Sequence, residues 1–224
     1  MRSLVYISRS NLILKVFMSA LSKISHIDPL SILDIGANCG YFSKECHSIW
    51  PNASIFMIEG NPVCEPMLKE TGFPFMITLL SDAVKDAIFY QRSCGGTSTG
   101  DSLYLEDTPW YSTENLIQSK RQTTTLNELY KNESKSFDFI KLDVQGSEID
   151  ILRGGEEIVS KAKHILLEVP AANSKPYNIG SPTNEEVLSY MNKIGFYPSI
   201  EIEEILHPIE RYLIQKDILF SRII

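Results

Sequence analysis

The sequence predicts an α/β fold in which helices cover both faces of a mostly parallel sheet. From about residue 30 onward, short β-type runs alternate with helical segments, which is the pattern of parallel strands joined by crossover helices. A glycine-containing turn directly follows the first of these runs. The chain has 224 residues, 43% of them hydrophobic, and this is enough for one well-buried domain.

The individual elements are predicted from apolar runs, capping residues and helix breakers. Strands are expected at residues 31–35, 54–59, 75–80, 87–91, 137–143, 164–169, 196–205 and 217–223. Helices are expected at residues 40–50, 62–70, 125–130, 146–152 and 184–194. Asn61 and Pro62 suit the start of the second helix, and Gly195 suits the end of the last one. No clear crossover helix separates the last two strands, so we expect them to form an antiparallel hairpin.

Residues 1–29 are expected to form a helical extension that packs on a domain spanning residues 30–224. Apolar residues at positions 12, 16, 17, 20, 21 and 24 have the spacing of one helix face. The alternative is a signal peptide, but Lys15 interrupts the apolar run and no clean cleavage site follows. No stretch of the sequence approaches the roughly 20 apolar residues that a membrane span needs.

Charge and cysteine content exclude several classes of protein. A net charge of -7, without a cluster of Lys and Arg, argues against a nucleic-acid partner. The sequence has four cysteines, Cys39, Cys46, Cys64 and Cys94, which form no CxxC pair and no zinc-type set with histidine. We therefore expect free thiols, a cytoplasmic location and no bound metal.

The turn after the first strand reads Asp-Ile-Gly-Ala-Asn-Cys-Gly over residues 34–40. Its glycines allow a tight turn and a close approach to a ligand, and Asn38 tolerates a left-handed backbone. A dinucleotide fingerprint would need glycine where Asn38 and Tyr41 stand, so a pyrophosphate site is poorly supported. A purely structural turn is the alternative at this point.

Glu59 stands at the end of the second predicted strand, about 20 residues beyond the glycine turn. A carboxylate at this place can accept hydrogen bonds from both hydroxyls of a ribose. Alone, Glu59 could equally be an exposed acid at a strand end. Together with Asp34 and the glycine turn, it predicts a site for an adenosine-containing ligand.

The stretch Lys-Leu-Asp-Val-Gln-Gly-Ser-Glu covers residues 141–148. Lys141 and Asp143 lie on one face of a strand that should be buried on both faces. Burying an unpaired ammonium is costly, so Lys141 is anomalous there. It either forms a structural pair with Asp143 at the strand end, or the two residues face a reacting centre.

Four segments together resemble the FkbM family of methyltransferases. They are ILDIGANCGYFS, IEGNP, DFIKLDVQGSEIDILRGG and QKDILF, and residues 101–103 and 125–126 also match family-like positions. The resemblance runs from about residue 32 to the C-terminus. It implies a Rossmann-like methyltransferase fold, with a seven-stranded sheet whose last strand is antiparallel. It also implies S-adenosyl-L-methionine as cofactor and O-methylation of a hydroxyl on a sugar, a polyketide or a related metabolite, so that the partner is a small-molecule or glycan acceptor.

The candidate site residues follow from these motifs and from the resemblance. The expected catalytic residues are Asp143, Lys141 and Glu148. The expected cofactor-binding residues are Asp34, Gly36, Ala37, Asn38, Gly40, Glu59, Gly60, Asn61, Ser81, Asp82 and Asp143.

Asp143 is expected to act as the base or to orient the acceptor, and Lys141 to stabilise the developing alkoxide. Glu148 and Glu168 are candidates either for binding the acceptor or for supporting the residues that contact it. A magnesium-assisted variant with Asp143 and Glu148 stays open as a minor alternative.

Residues 92–122 are expected to form a long loop that binds the acceptor, with Tyr104, Trp110 and Tyr111 as flat surfaces. A surface loop that packs its aromatic residues on the domain is the alternative. Two other functions also remain open from the sequence: a non-catalytic nucleotide-binding or adenosylmethionine-binding protein, and an NAD-dependent oxidoreductase. The sequence leaves the oligomeric state and the identity of the acceptor undetermined.

Overall fold

The structure is a computed structural model that describes residues 20–92, 98–108, 116–172, 176, 178–206 and 210–223. Its strands are β1 (Ser31–Ile35), β2 (Ser54–Glu59), β3 (Phe75–Ile77), β4 (Leu79–Leu80), β5 (Asp86–Arg92), β6 (Leu116–Thr124), β7 (Phe139–Leu142), β8 (His164–Pro170), β9 (Phe196–Leu206) and β10 (Leu213–Arg222). Its α-helices are α1 (Tyr41–Ile49), α2 (Glu65–Thr71), α3 (Leu126–Tyr130), α4 (Glu148–Arg153), α5 (Glu156–Val159) and α6 (Asn184–Lys193).

Seven strands form one sheet in the order β3-β2-β1-β7-β8-β10-β9. The first five of these pair in parallel, whereas β10 is antiparallel to both β8 and β9. The predicted sheet is thereby confirmed, including the hairpin at its end. The strand order reverses between β1 and β7, and in such sheets ligands bind beyond the carboxyl ends of the strands at this reversal.

Helices cover both faces of the sheet, as expected. One buried cluster includes Leu126, Ile149 and Met191 from α3, α4 and α6. The other includes Phe42 and Leu68 from α1 and α2. Each helix turns an apolar stripe toward the sheet, so both faces of the central strands are buried and their residues are nearly all apolar.

The predicted third strand is in fact two short strands in different sheets. Residues 75–77 form β3 beside β2, and Leu79 and Leu80 form β4 in a three-stranded sheet of order β4-β6-β5. Between them, the backbone N–H of Thr78 donates to the carbonyl of Glu59 at 2.9 Å. The chain therefore leaves the edge of the main sheet after β3, passes the end of β2, and enters the second sheet at β4.

The expectation of a continuous loop at residues 92–122 is wrong for its last part. Residues 116–124 form β6, which pairs with β5 in an antiparallel hairpin. Most of β6 is polar and half exposed, so it lacks the alternation by which a strand is recognised. Trp110 and Tyr111 lie outside the described residues.

The described part of the N-terminal segment lies against the sheet. Leu21 and Ile24 are fully buried among residues of the second cluster. Nζ of Lys23 donates to the carbonyl of Ile202 at 2.7 Å, which ties this segment to β9. Residues 1–19 lie outside the described residues, and the boundary at residue 29 stays a prediction. Within the described ranges, no helix has the length and apolar character needed to cross a membrane.

Candidate active site

A cleft of about 410 Å³ opens at the carboxyl ends of the central strands. Gly36 and Glu59 line it after β1 and at the end of β2, Asp143 lines it after β7, and Glu168 lines it from β8. Residues 98–103 close it from the outside. The cleft therefore lies at the reversal of strand order, where a ligand is expected.

The turn after β1 is shaped by a close contact with the turn after β7. Gly36 has φ of +77°, and a Cβ at this position would lie 1.9 Å from the backbone oxygen of Asp143. Only glycine fits here, because both the backbone conformation and the space exclude a side chain. Asn38 has φ of +48°, and Gly40, with φ of +74°, precedes the first turn of α1.

Glu59 is buried beside this turn, and its carboxylate accepts hydrogen bonds from the turn after β1 and from the turn after β2. One carboxylate oxygen accepts a hydrogen bond from the backbone N–H of Asn38, and the other accepts one from the N–H of Asn61, each at 2.7 Å. Burial raises the pKa of Glu59, and these two N–H groups oppose the rise. A carboxylate has about four acceptor positions, so two remain for a ligand in the cleft.

Lys141 is buried between two carboxylates. Its Nζ lies 3.5 Å from Oδ1 of Asp34 and 3.2 Å from Oδ2 of Asp143, and it also donates to the carbonyl of Gly36 at 3.3 Å. The Ser43 hydroxyl donates to the other oxygen of Asp34 at 2.7 Å. Burial disfavours the charge on Lys141, but the carboxylates of Asp143 and Asp34 outweigh this effect and raise the pKa of Lys141.

Asp143 is the member of this group that reaches the cleft, and its side chain is 39% exposed. Lys141 holds one of its oxygens, and Nε2 of Gln145 donates to the other at 3.0 Å. The same Nε2 donates to Glu168 at 3.2 Å. Gln145 has φ of +58°, a left-handed conformation that carries its amide between the two carboxyl groups.

Glu168 and Asp217 form an acidic patch beyond Asp143. They are directly opposite each other on β8 and β10. Burial, together with the charge of Asp143, raises the pKa of Glu168 well above its ordinary value and that of Asp217 to about 7. Among the described residues, no group of three or more His, Cys, Asp or Glu side chains has an arrangement that could hold a metal ion.

The carboxylate of Glu148 faces the turn that precedes it. It accepts hydrogen bonds from the N–H groups of Val144 and Gly146 at 3.0 Å. Burial raises the pKa of Glu148 to about 7. Glu148 lines a small neighbouring cavity and not the main cleft, so its contacts stabilise the turn that presents Asp143 and Gln145.

The outer wall of the cleft is fixed to this same turn. The Ser102 hydroxyl donates to the carbonyl of Gln145 at 2.7 Å and accepts from the N–H of Tyr104 at 2.9 Å. Oδ2 of Asp101 accepts from Nδ2 of Asn61 at 2.6 Å. In the sequence, residues 101–103 are recognisable only as family-like positions, and no pattern there indicates these contacts.

The predicted site residues fall into two groups. Those that line the cleft are Gly36, Asn38, Glu59, Gly60 and Asp143. Those that lie behind or beside its lining are Asp34, Ala37, Gly40, Asn61, Ser81, Asp82, Lys141 and Glu148. Asp82 pairs with Lys85 at 2.6 Å on the surface, and the Ser81 hydroxyl donates to Asp82. Sequence reasoning missed Phe89 and Gln215, which line the cleft from β5 and β10. Phe89 belongs to no recognised motif, and Gln215 begins the family-like segment QKDILF, to which no site role was assigned.

In an otherwise parallel sheet, β10 lies antiparallel between β8 and β9, and the cleft carries the glycine turn and Glu59. The fold and the cleft together are those of a Rossmann-like methyltransferase. A family model described as the methyltransferase FkbM domain matches residues 34–198. The chain belongs to the FkbM family and is an S-adenosylmethionine-dependent methyltransferase. The resemblance seen in the sequence is thereby confirmed.

The individual relatives and solved structures share little sequence identity with this chain. The 2-O-methyltransferase NoeI of Sinorhizobium fredii is 28% identical over 170 residues, which cover 69% of either chain. The structure of methyltransferase FkbM from Methylobacillus flagellatus KT has a TM-score of 0.52 at 14% identity, covering 91% of this chain and 47% of that one. Magnesium protoporphyrin IX methyltransferase from Synechocystis PCC 6803, solved with bound SAM, has a TM-score of 0.50 at 10% identity, covering 100% of this chain and 87% of that one. At these identities the two structures show the fold.

Proposed function

We propose that this methyltransferase binds S-adenosylmethionine in the main cleft and methylates a hydroxyl oxygen of a sugar or a related metabolite. The observation that carries the proposal is the pair of carboxylates of Glu59 and Asp143 in one cleft. One is placed for the ribose of the cofactor, and the other for the hydroxyl of the acceptor.

The residues present fit the cofactor. The end of the cleft beside Glu59 is lined by the apolar side chains of Leu79, Leu80 and Phe89, which suit the faces of an adenine ring. Glu59 keeps free acceptor positions beside them. Asn38 and Tyr41 replace two glycines of a dinucleotide fingerprint, and this disfavours NAD.

The chemistry assigned to the chain itself is positioning and proton transfer. S-adenosylmethionine, when bound, supplies a methyl group on a sulfonium, which the acceptor oxygen takes with release of the neutral thioether. Alignment of the two reactants can contribute about 7–11 kcal/mol, and a base placed on the hydroxyl can add about 10²–10⁴-fold. Asp143 is the candidate base, since its carboxylate reaches the cleft and is held on both oxygens by Lys141 and Gln145.

We propose for Lys141 a different role from the one expected from the sequence. It lies behind the lining of the cleft, so we assign it to orienting Asp143 and not to contact with the developing alkoxide. Glu148 likewise supports the turn around Asp143.

An oxygen acceptor is supported by the name of the relative NoeI, a 2-O-methyltransferase. We propose a small-molecule or glycan acceptor and no nucleic acid, in line with the acidic net charge of -7.

The test is transfer of tritium-labelled methyl from S-adenosylmethionine to methyl glycosides of hexoses, 6-deoxyhexoses and pentoses. Calorimetry with S-adenosylhomocysteine and with NAD runs alongside. We expect micromolar binding of S-adenosylhomocysteine, far weaker binding of NAD, and label in the ether-linked methyl of at least one glycoside. Tight cofactor binding without transfer to any hydroxyl would favour a binding protein. NAD binding as tight as that of S-adenosylhomocysteine would refute the cofactor assignment.

A further inference from the structure

The cleft continues past Asp143 into a region whose chemistry differs from that of the cofactor end. Because the strand order is β2-β1-β7-β8-β10, the residues Glu59, Asp143, Glu168 and Gln215 follow one another across the edge of the sheet, and all four line the cleft. With the nucleoside at Glu59, the part lined by Glu168 and Gln215 lies on the far side of the candidate base.

This far part is rich in groups that both donate and accept hydrogen bonds. It presents the amides of Gln145 and Gln215 and the carboxyl of Glu168, with Ile205 as an apolar neighbour. The cofactor end has Leu79, Leu80 and Phe89 instead. A site for an apolar acceptor would leave the remaining hydrogen-bonding groups of Glu168 and Gln215 without partners, at a cost for each of them.

Glu168 and Gln215 both have unused hydrogen-bonding capacity. Glu168 accepts one hydrogen bond, from Gln145 at 3.2 Å. The Gln215 side chain is 9% exposed and makes no side-chain hydrogen bond to the rest of the described chain. Burial raises the pKa of Glu168 well above its ordinary value, and in its neutral form the carboxyl can donate as well as accept, as the amide of Gln215 can.

We infer that Glu168 and Gln215 bind a second hydroxyl of the acceptor, next to the hydroxyl that Asp143 deprotonates. The acceptor class is thus a vicinal diol, as in a sugar ring with a free neighbouring hydroxyl. This inference rests on the proposed function, because it takes Asp143 as the group that meets the methylated oxygen.

The probes for the test differ in one substituent: cyclohexanol, cis- and trans-cyclohexane-1,2-diol, and trans-2-aminocyclohexanol. Binding of each to the complex of the protein with S-adenosylhomocysteine is measured by ligand-observed NMR, and labelled methyl transfer is measured in parallel. We expect at least one diol to bind about tenfold more tightly than cyclohexanol. Equal binding of the diols and cyclohexanol, including undetectable binding of all of them, overturns the inference. Preference for the aminoalcohol overturns it in favour of a cationic acceptor.

Variants assign the preference to the two residues. Glu168→Gln keeps a donor and an acceptor and should keep the preference for the diol, whereas Glu168→Leu and Gln215→Leu should lose it. All three should bind S-adenosylhomocysteine like the unaltered protein, and Glu70→Leu, on the exposed side of α2, is the surface control. A preference that survives both leucine variants refutes the assignment. Diol binding without methyl transfer would contradict the proposed function but would still support a diol-binding site at Glu168 and Gln215.

Discussion

Nζ of Lys141 lies 3.2 Å from Oδ2 of Asp143, and through this contact a fully buried part of the sheet determines the orientation of a group in the cleft. Lys141 is anchored from behind by Asp34, which is itself held by Ser43 on α1. The sequence left two alternatives for Lys141, a structural pair or a place at the reacting centre. The structure agrees with a part of each alternative: Lys141 forms the ion pair, and of these two residues only Asp143 lines the cleft.

Asp143→Asn should keep the cofactor and lose turnover. The amide has the shape of the carboxylate but cannot take a proton, so we expect kcat to fall by about 10²–10⁴-fold, with the Kd for S-adenosylhomocysteine nearly unchanged. Single-turnover transfer to a glycoside acceptor and calorimetry measure the two quantities. If the Kd rises as much as kcat falls, Asp143 belongs to the cofactor site.

Lys141→Met should destabilise the fold strongly, because it leaves Asp34 buried without its cation. Breaking a buried ion pair by removing one partner costs about 3–5 kcal/mol. The double variant with Asp34→Asn removes both charges and should recover a large part of this loss. Urea unfolding of the two single variants and the double variant measures the coupling. Additive losses would show that the pair contributes no stability.

Combining Lys141→Met with Asp143→Asn tests the positioning role of Lys141. If it acts through Asp143, adding Lys141→Met to Asp143→Asn should reduce kcat little further. If Lys141 itself contacts the acceptor, the fold-reductions in kcat caused by the two substitutions should multiply.

Glu59→Gln should weaken cofactor binding and leave the protein folded. The amide has one acceptor oxygen, so it keeps the hydrogen bond from only one of the N–H groups of Asn38 and Asn61, and it loses the charge-assisted bonds to a ribose, each worth about 1.5–3 kcal/mol. We therefore expect the Kd for S-adenosylhomocysteine to rise by about 10–100-fold. Glu70→Gln, an exposed acid on α2, is the control. An unchanged Kd would mean that Glu59 serves the turn alone.

The sequence predicted the parts of the fold and site that depend on local pattern. The bounds of β1 and β2 agree in full with expectation, because Ser31–Ile35 and Ser54–Glu59 are short apolar runs ended by turn residues. Gly36 and Glu59 were found for the same reason, since each occupies a fixed place after a strand.

Other features depend on contacts between distant segments. The strand β6 is polar, and only its pairing with β5 makes it a strand. Gln215 and Asp217 reach the site through the register of β10 against β8, which no motif encodes. The hydrogen bonds of Glu148 to its own turn depend on the left-handed backbone at Gln145, so its structural role was hidden in the sequence.

Ser102→Ala should loosen the outer wall of the cleft. The hydroxyl of Ser102 is buried and joins residues 98–108 to the turn after β7, and the backbone of Leu105 pairs with that of Ile179 nearby. In the unaltered protein we expect slow chymotrypsin cleavage after Tyr104. The alanine variant should be cut faster at this site. Mass spectrometry locates the cuts, and Ser48→Ala on α1 is the matched hydroxyl control. Rapid cleavage after Tyr104 in the unaltered protein would show instead that this wall opens freely.

Stability should increase as the pH falls from about 8 to about 5. Burial, then the charge of Asp143, raises the pKa of Asp217 from its ordinary 3.8 to about 7, and burial raises that of Glu148 from 4.5 to about 7. At a pH between the unfolded and the folded pKa of such a group, the folded protein binds a proton that the unfolded chain does not. Each such proton adds about 1.4 kcal/mol per pH unit to the free energy of unfolding as the pH falls. The gain is complete near the unfolded values and absent above pH 7.

Asp217→Asn tests which group is responsible. Asp217 is opposite Glu168 on β8 and Glu203 on β9, and it is influenced by Asp143 and Lys141. Replacing its carboxyl by a neutral amide removes a charge that is costly only at high pH, so the variant should be more stable than the unaltered protein at pH 8 and similar to it at pH 5. Thermal unfolding followed by circular dichroism measures this, with about 2–4 °C in Tm for each kcal/mol in a chain of this size. A Tm that rises from pH 5 to pH 8 in the unaltered protein would refute the assignment, because it would require the unfolded chain to bind more protons than the folded one.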